Sequence, residues 1–210
     1  MNIIELINKY NSDKGYAHGY SNIYHRYFES LRDSKLTMLE VGIGTGESVN
    51  VWYDFFGNST IYMADIDDYS HLYNKDRLKC LTVDQSDRLS LENLRETVGQ
   101  LSIVLDDGGH AMHHQQLTLG IMFKNLNSNG LYFIEDLHTS TWEPGSTLYN
   151  QDLKISEDRK TTTLNVLTQF QSTGVFQSPF LSVEENGYLT ECIRSIDFFC
   201  NNKLCLLVKK

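Results

Sequence analysis

The chain has 210 residues, with 27 acidic against 18 basic side chains, a formal charge of −9 and 40% hydrophobic residues. That length suits one α/β domain with a buried core and is short for two, and the acidic balance argues against nucleic acid as the main partner. The four cysteines show no CxxC pair or metal-ligand spacing, no signal peptide opens the chain and no apolar run is long enough for a membrane span, so the expectation is a cytoplasmic protein without a membrane partner.

Residues 3–10 read as a short amphipathic helix, followed by the turn cluster NSDKG at 11–15. Ser21 to Arg32 carries Ile23, Tyr24, Tyr27, Phe28 and Leu31 at helical spacing, which predicts a helix with one aromatic face. That face could pack on the body of the protein, cover a ligand as a lid, or pair two copies into a homo-oligomer. Thr37 to Ile43 reads as a buried strand that runs into a glycine turn, Gly42, Gly44 and Gly46, and then a helix over 46–56. Glycines at a strand end let the backbone turn sharply and come close to a ligand, and the amide-rich start of the helix faces it. The GxGxG pattern by itself fits ordinary tight turns and several nucleotide-cofactor folds.

Further strands are expected at 60–65, 78–83, 101–106 and 130–135, separated by a short helix or turn at 69–76 and helices at 90–98 and 111–125. Strict alternation of this kind implies a parallel sheet with right-handed crossovers. Each strand ends in polar residues: Asp65, then Asp84 and Gln85, then Asp106 and Asp107, then Glu135 and Asp136. In open α/β sheets such ends converge on one crevice, where Asp65 stands as a carboxylate accepts ribose hydroxyls. Residues 136–157, with Trp142, read as a substrate-facing loop, and 161–173 as a helix. Strands at 193–199 and 203–208 joined by Cys200-Asn201-Asn202 predict a final antiparallel hairpin, with buried free thiols at Cys200 and Cys205.

Asp107, Glu135 and Asp136 would gather at one end of neighbouring strands. Like charges so close are costly unless a cation lies between them, and oxygen donors without cysteine suit a hard ion such as Mg²⁺. The alternative is that each acid caps a helix or faces water. His110, three residues after Asp107, is the candidate general base, since imidazole exchanges protons near neutrality. His113 and His114 default to solvated side chains, His138 either touches substrate or holds its loop, and His18 and His25 take stacking or capping roles.

LEVGIGTGES, the acid of ADID, VDQSD and the terminal hairpin together resemble class I S-adenosylmethionine-dependent methyltransferases. SDKG followed by HGY and IYHRYF, then DQSD, IVLDDGGH and FIEDLHTSTW, resemble the metal-dependent O-methyltransferases that modify sugars of macrolides and other natural products, with their cephalosporin hydroxylase-like relatives. The resemblance covers residues 10–145 and the last hairpin, and leaves 146–192 unmatched. It implies a Rossmann-like, doubly wound α/β sheet of seven strands, mostly parallel with an antiparallel C-terminal hairpin, plus N-terminal helices. It also implies a metal site at Asp107, Glu135 and Asp136 and a base at His110, with Gly109 where serine is more usual. S-adenosylmethionine would lie over Gly42, Gly44 and Gly46, with Asp65 on its ribose and Asp84 and Gln85 at its adenine edge. Asp106 and Glu40 would support the methionine amine or the loop, and Lys14 would reach the cofactor carboxylate or else be exposed. The expected activity is methyl transfer to a hydroxyl of a sugar or natural-product precursor. A phenol or catechol acceptor and a cofactor-binding protein without turnover are the alternatives, and the glycine spacing and hairpin disfavour a nicotinamide-dependent oxidoreductase.

Overall fold

Apolar side chains alternate between the two faces of a central sheet, and helices cover both faces. The computed structural model describes residues 1–210. In chain order the elements are α1 (Ile3–Lys9), α2 (Asp13–Tyr16), α3 (Ser21–Phe28), β1 (Thr37–Val41), α4 (Glu47–Phe55), β2 (Thr60–Asp65), α5 (Ser70–Tyr73), β3 (Leu78–Thr82), α6 (Arg88–Val98), β4 (Leu101–Asp106), α7 (Met112–Met122) and β5 (Leu126–Ile134). A small hairpin, β6 (Thr147–Leu148) and β7 (Gln151–Asp152), precedes α8 (Thr163–Thr173), α9 (Val183–Cys192), β8 (Ile193–Phe199) and β9 (Leu204–Lys209).

Seven strands form one sheet in the order β3-β2-β1-β4-β5-β9-β8. The five from β3 to β5 are mutually parallel, and β9 is antiparallel to both β5 and β8. The order reverses between β1 and β4, and there a doubly wound sheet opens its crevice at the carboxyl ends of the strands. The expected seven-stranded sheet with its terminal hairpin is therefore present. β5 starts at Leu126, ahead of the expected 130, because its pairing with β4 is interrupted between Leu101 and Ile103, where Asn129 adopts a left-handed backbone.

On one face Leu39, Val41, Val104, Tyr132, Ile134 and Leu207 pack against α6, α7, α8 and α9. On the other, Met38, Ile103, Leu105, Phe133 and Leu206 pack against α1, α3 and α4. The aromatic face of α3 belongs to this second layer. Tyr24 and Phe28 are fully buried, stacked on each other at 5.2 Å and edge-on to Trp52 and Phe133. Burial of one such ring stabilises the fold by about 1.5–3 kcal/mol. Tyr24 and Phe28 thus pack on the sheet, while Ile23, Tyr27 and Leu31 of the same face are half-buried.

Residues 146–192, unmatched at the level of sequence, supply the β6–β7 hairpin and two helices. α9 escapes the pattern reading, although Ser182 and Glu185 form a reciprocal capping box at its start, an S-x-x-E signal visible in the chain. All four cysteines are free thiols, and no helix is long and apolar enough to cross a membrane.

Candidate active site

The carboxyl ends of β1, β2, β3, β4 and β5 open into a cleft of about 740 Å³. Gly42, Gly44, Asp65 and Asp84 line one half, and Asp107, His110, Asp136, His138, Trp142 and Tyr149 line the other.

The first half is made largely of backbone. Gly42 has φ +101°, and a Cβ there would lie 2.0 Å from the carbonyl oxygen of Asp107, so glycine is what lets β1 and β4 end side by side. Gly46 has φ +88° and caps α4, with the Tyr73 hydroxyl where its Cβ would be. Asp65 closes the turn from β2: its Oδ2 accepts from the amides of Ile43 at 2.6 Å and Gly44 at 3.3 Å. The Tyr69 hydroxyl donates to the Gly44 carbonyl at 2.9 Å, while the space above the Gly44 Cα is open. Asp84 takes the amide and hydroxyl of Ser86 on one oxygen and also faces the cleft.

Gln85 lines the cleft beside Asp84, with its amide also tied inside the protein. Nε2 donates to Asp106 Oδ1 at 2.8 Å and to Thr118 at 3.0 Å, and Oε1 accepts from the amide of Gly109 at 2.8 Å. Gln85 therefore ties the end of β3 to the turn that carries Asp107 and His110. Asp106 sits beneath that turn, fully buried, and burial pushes its carboxyl up to about 7 against the hydrogen bond from Gln85. Glu40 is also fully buried and away from the cleft, holding the Ser48 hydroxyl at 2.7 Å and the Trp52 indole at 2.8 Å. Neither Asp106 nor Glu40 lines the cleft, so of the two supports expected of them, the methionine amine or the loop, their contacts fit the second.

The second half is made of side chains. Asp107 comes from the end of β4, and Asp136 follows β5 in a left-handed conformation, φ +53°. His110, also at positive φ, is 6% exposed, with Nε2 3.8 Å from Asp136 Oδ2 and Nδ1 without a hydrogen bond. Single donor atoms of Asp107, His110 and Asp136 lie within 4.8 Å of one another. Asp136 is also approached by His18 Nδ1 at 3.3 Å, His138 Nδ1 at 3.9 Å and the Tyr20 hydroxyl at 2.7 Å. His18 stacks on Tyr20 as expected, and its pKa is raised, chiefly by the Asp13 carboxylate 3.7 Å from its Nε2.

Two expectations fail at Lys14. The side chain is neither exposed nor directed at a cofactor carboxylate, being 1% exposed with its Nζ 2.5 Å from Asp107 Oδ2, 2.7 Å from Glu135 Oε1 and 3.1 Å from Glu40 Oε1. Burial opposes the charge on Lys14, but Asp107, Glu135 and Glu40 outweigh it and hold its pKa well above the usual lysine range. Glu135 is consequently not in the cleft-facing donor group with Asp136. Its Oε1 receives both Lys14 and the Tyr24 hydroxyl at 2.5 Å, and His110 completes the group that faces the cleft. His114 is a third correction: it is buried rather than solvated, and burial followed by the neighbouring His113 pushes its pKa down to about 4.

Sequence pattern does not single out Tyr20, Tyr24 or Tyr149 as site residues. Tyr24 reads only as a helix-face aromatic, and nothing local signals that the hydroxyls of Tyr20 and Tyr24 reach Asp136 and Glu135. Tyr149 stands at the tip of the β6–β7 hairpin on two left-handed residues, 71% exposed at the cleft rim.

No protein-family model matches the chain. Over 155 residues it is 34% identical to the 8-demethyl-8-alpha-L-rhamnosyl tetracenomycin-C 2'-O-methyltransferase of Streptomyces olivaceus, a match covering 70% of this chain and 41% of that protein. It is 34% identical over 149 residues to the mycinamicin VI 2''-O-methyltransferase of Micromonospora griseorubida, covering 67% of this chain and 37% of that one. Among solved structures, the MycE methyltransferase of the mycinamycin biosynthetic pathway, in complex with Mg, SAH and mycinamycin VI, aligns with 100% of this chain at a TM-score of 0.82 and 26% identity, over 54% of its own length. A putative caffeoyl-CoA O-methyltransferase from Staphylococcus aureus, at 11% identity and a TM-score of 0.58, shares the fold. The matches span about half or less of the length of these sugar-modifying relatives. By sequence the chain is therefore related to O-methyltransferases that act on natural-product sugars, and by fold it belongs with the class I S-adenosylmethionine-dependent methyltransferases.

Proposed function

We propose that the chain transfers the methyl group of S-adenosylmethionine to a hydroxyl of a sugar carried by a natural product or its precursor, with a divalent ion such as Mg²⁺ and with His110 as general base. The observation that carries this reading is a single cleft in which the glycine turn and strand-end acids adjoin Asp107, His110 and Asp136. The names of the relatives, all sugar or macrolide O-methyltransferases, support the choice of acceptor.

The donor set fits an ion. Two carboxylates with no thiol favour a hard cation, and Asp107 and Asp136 would hold it. Bound there, such an ion would favour the ionised form of a hydroxyl beside it. The surroundings of His110 suit a proton acceptor. Its ring lies at the cleft wall, its Nδ1 has no partner in the chain, and its Nε2 is 3.8 Å from Asp136 Oδ2. A ring so placed takes the hydroxyl proton as the oxygen attacks the methyl carbon. The chain's remaining contribution is alignment of nucleophile, methyl and sulfur. The Ile43–Gly46 turn and Asp65 fix the donor, while Trp142 and Tyr149 offer aromatic faces for a sugar ring.

The test is incubation of the chain with S-adenosylmethionine, Mg²⁺ and a panel of deoxysugar and rhamnosyl glycosides, with catechol alongside, read by mass spectrometry. A methyl ether on a sugar, lost in excess chelator, is expected. Methylation of catechol alone, or undiminished transfer in chelator, would contradict the acceptor or the ion respectively.

A further inference from the structure

Beneath the cleft lies a pocket of three carboxylates, Glu40 from β1, Asp107 after β4 and Glu135 after β5, whose donor oxygens lie within 4.8 Å of one another. Two of the three side chains are at most 1% exposed, and Asp107 is 22% exposed. The neutral donors around them, Ser48 and Trp52 on Glu40 and Tyr24 on Glu135, satisfy lone pairs and supply no charge. Carboxylates gathered this closely out of water need a cation or a retained proton among them, and burial raises the pKa of both Glu40 and Glu135. The chain provides the cation: the ammonium of Lys14 sits among all three, within 2.5 to 3.1 Å of each. It is carried there by the SDKG turn, which is seated so tightly that a Cβ on Gly15 would lie 2.7 Å from Ile7.

We propose that Lys14 is a built-in cation, a positioning residue that fills the Glu40, Asp107 and Glu135 pocket where a metal ion would otherwise sit. By holding Asp107 Oδ2 it fixes the orientation of that carboxylate, leaving Asp107 and Asp136 open to a divalent ion beside His110. The second statement rests on the proposed function, and the first does not. The arrangement also gives the N-terminal segment a reason to lie under the strand ends, since its ammonium favours the ionised form of Glu40 and Glu135.

The experiment measures Tm in chelator and in millimolar Mn²⁺ for the wild type and Lys14→Met, each also in an Asp136→Asn background that disables the cleft-facing group. In chelator Lys14→Met should lose about 10 °C, the scale expected for uncompensated buried charge in a chain of this size. Mn²⁺ should restore at least half of that loss, in the Asp136→Asn background as well, because the ion takes the place of the ammonium. A second variant, Lys14→Met/Glu40→Gln, removes one carboxylate with the ammonium and should recover stability without any ion. If neither Mn²⁺ nor Glu40→Gln restores what Lys14→Met loses, the pocket needs the shape of lysine rather than its charge, and the inference is overturned. A wild-type Tm that Mn²⁺ leaves unmoved would instead count against the ion of the proposed function, while a recovering Lys14→Met would still support the built-in cation.

Discussion

The two halves of the cleft are built by different means. On the glycine side, one turn and one carboxylate do the positioning: Asp65 ties the amides of Ile43 and Gly44, and the backbone itself forms the surface. On the acidic side, Asp107, His110 and Asp136 come from two strand ends, while Lys14, His18, Tyr20 and Tyr24 reach them from the N-terminal segment. A backbone-built surface depends on conformation at a few residues, and a side-chain-built one depends on charge balance across the whole molecule. The first should therefore fail through strain, and the second through loss of one charge or one proton acceptor.

The largest effect expected is on the acidic side. His110→Ala should reduce methyl transfer by about a thousandfold, within the range that a general base contributes, while S-adenosylhomocysteine affinity by calorimetry stays unchanged. Undiminished turnover would remove His110 from its role. On the glycine side, Gly42→Ala places a Cβ 2.0 Å from the Asp107 carbonyl at φ +101°, so it should cost about 3 kcal/mol and lower Tm accordingly. A wild-type Tm for that variant would show that the turn is softer than its geometry. Asp65→Asn should weaken S-adenosylhomocysteine by about tenfold and leave the Mn²⁺ response intact, separating the two halves in a single titration.

The smallest effect concerns His114. Its folded pKa of about 4 lies below the ordinary histidine value, so the unfolded chain takes up the proton first as pH falls. The stability it contributes is fully present above about pH 6.5 and is lost on the way down to about pH 4, a change of order 2 kcal/mol. Urea unfolding of wild type and His114→Gln across that window should show a flatter acid limb in the variant. Parallel limbs would mean that His114 takes up its proton as readily in the folded chain as in the unfolded one.

Local pattern is enough to place the strands, the glycine turn and the polar strand ends, because period-two burial and turn glycines act within a few residues. It is enough to bring Asp107, His110 and Asp136 to one place, since parallel neighbours align their ends. It does not show that Lys14 reaches Asp107 and Glu135, 93 and 121 residues along the chain, because a charge carries no mark of its distant partner. The same blindness hides the tie that Gln85 makes to Asp106 and Gly109, and the burial of His114 under the turn. Glu135 reads as a metal ligand from its place beside Asp136. Alternation along β5 sends it instead to the face where Tyr24 and Lys14 wait.

The central claim is most directly tested by a crystal structure of the chain with S-adenosylhomocysteine and Mn²⁺, the metal located by anomalous scattering. The account predicts the nucleoside against the glycine turn near Asp65 and a manganese peak between Asp107 and Asp136, beside His110. A metal peak absent from those two carboxylates, or a nucleoside bound away from the turn, would contradict it.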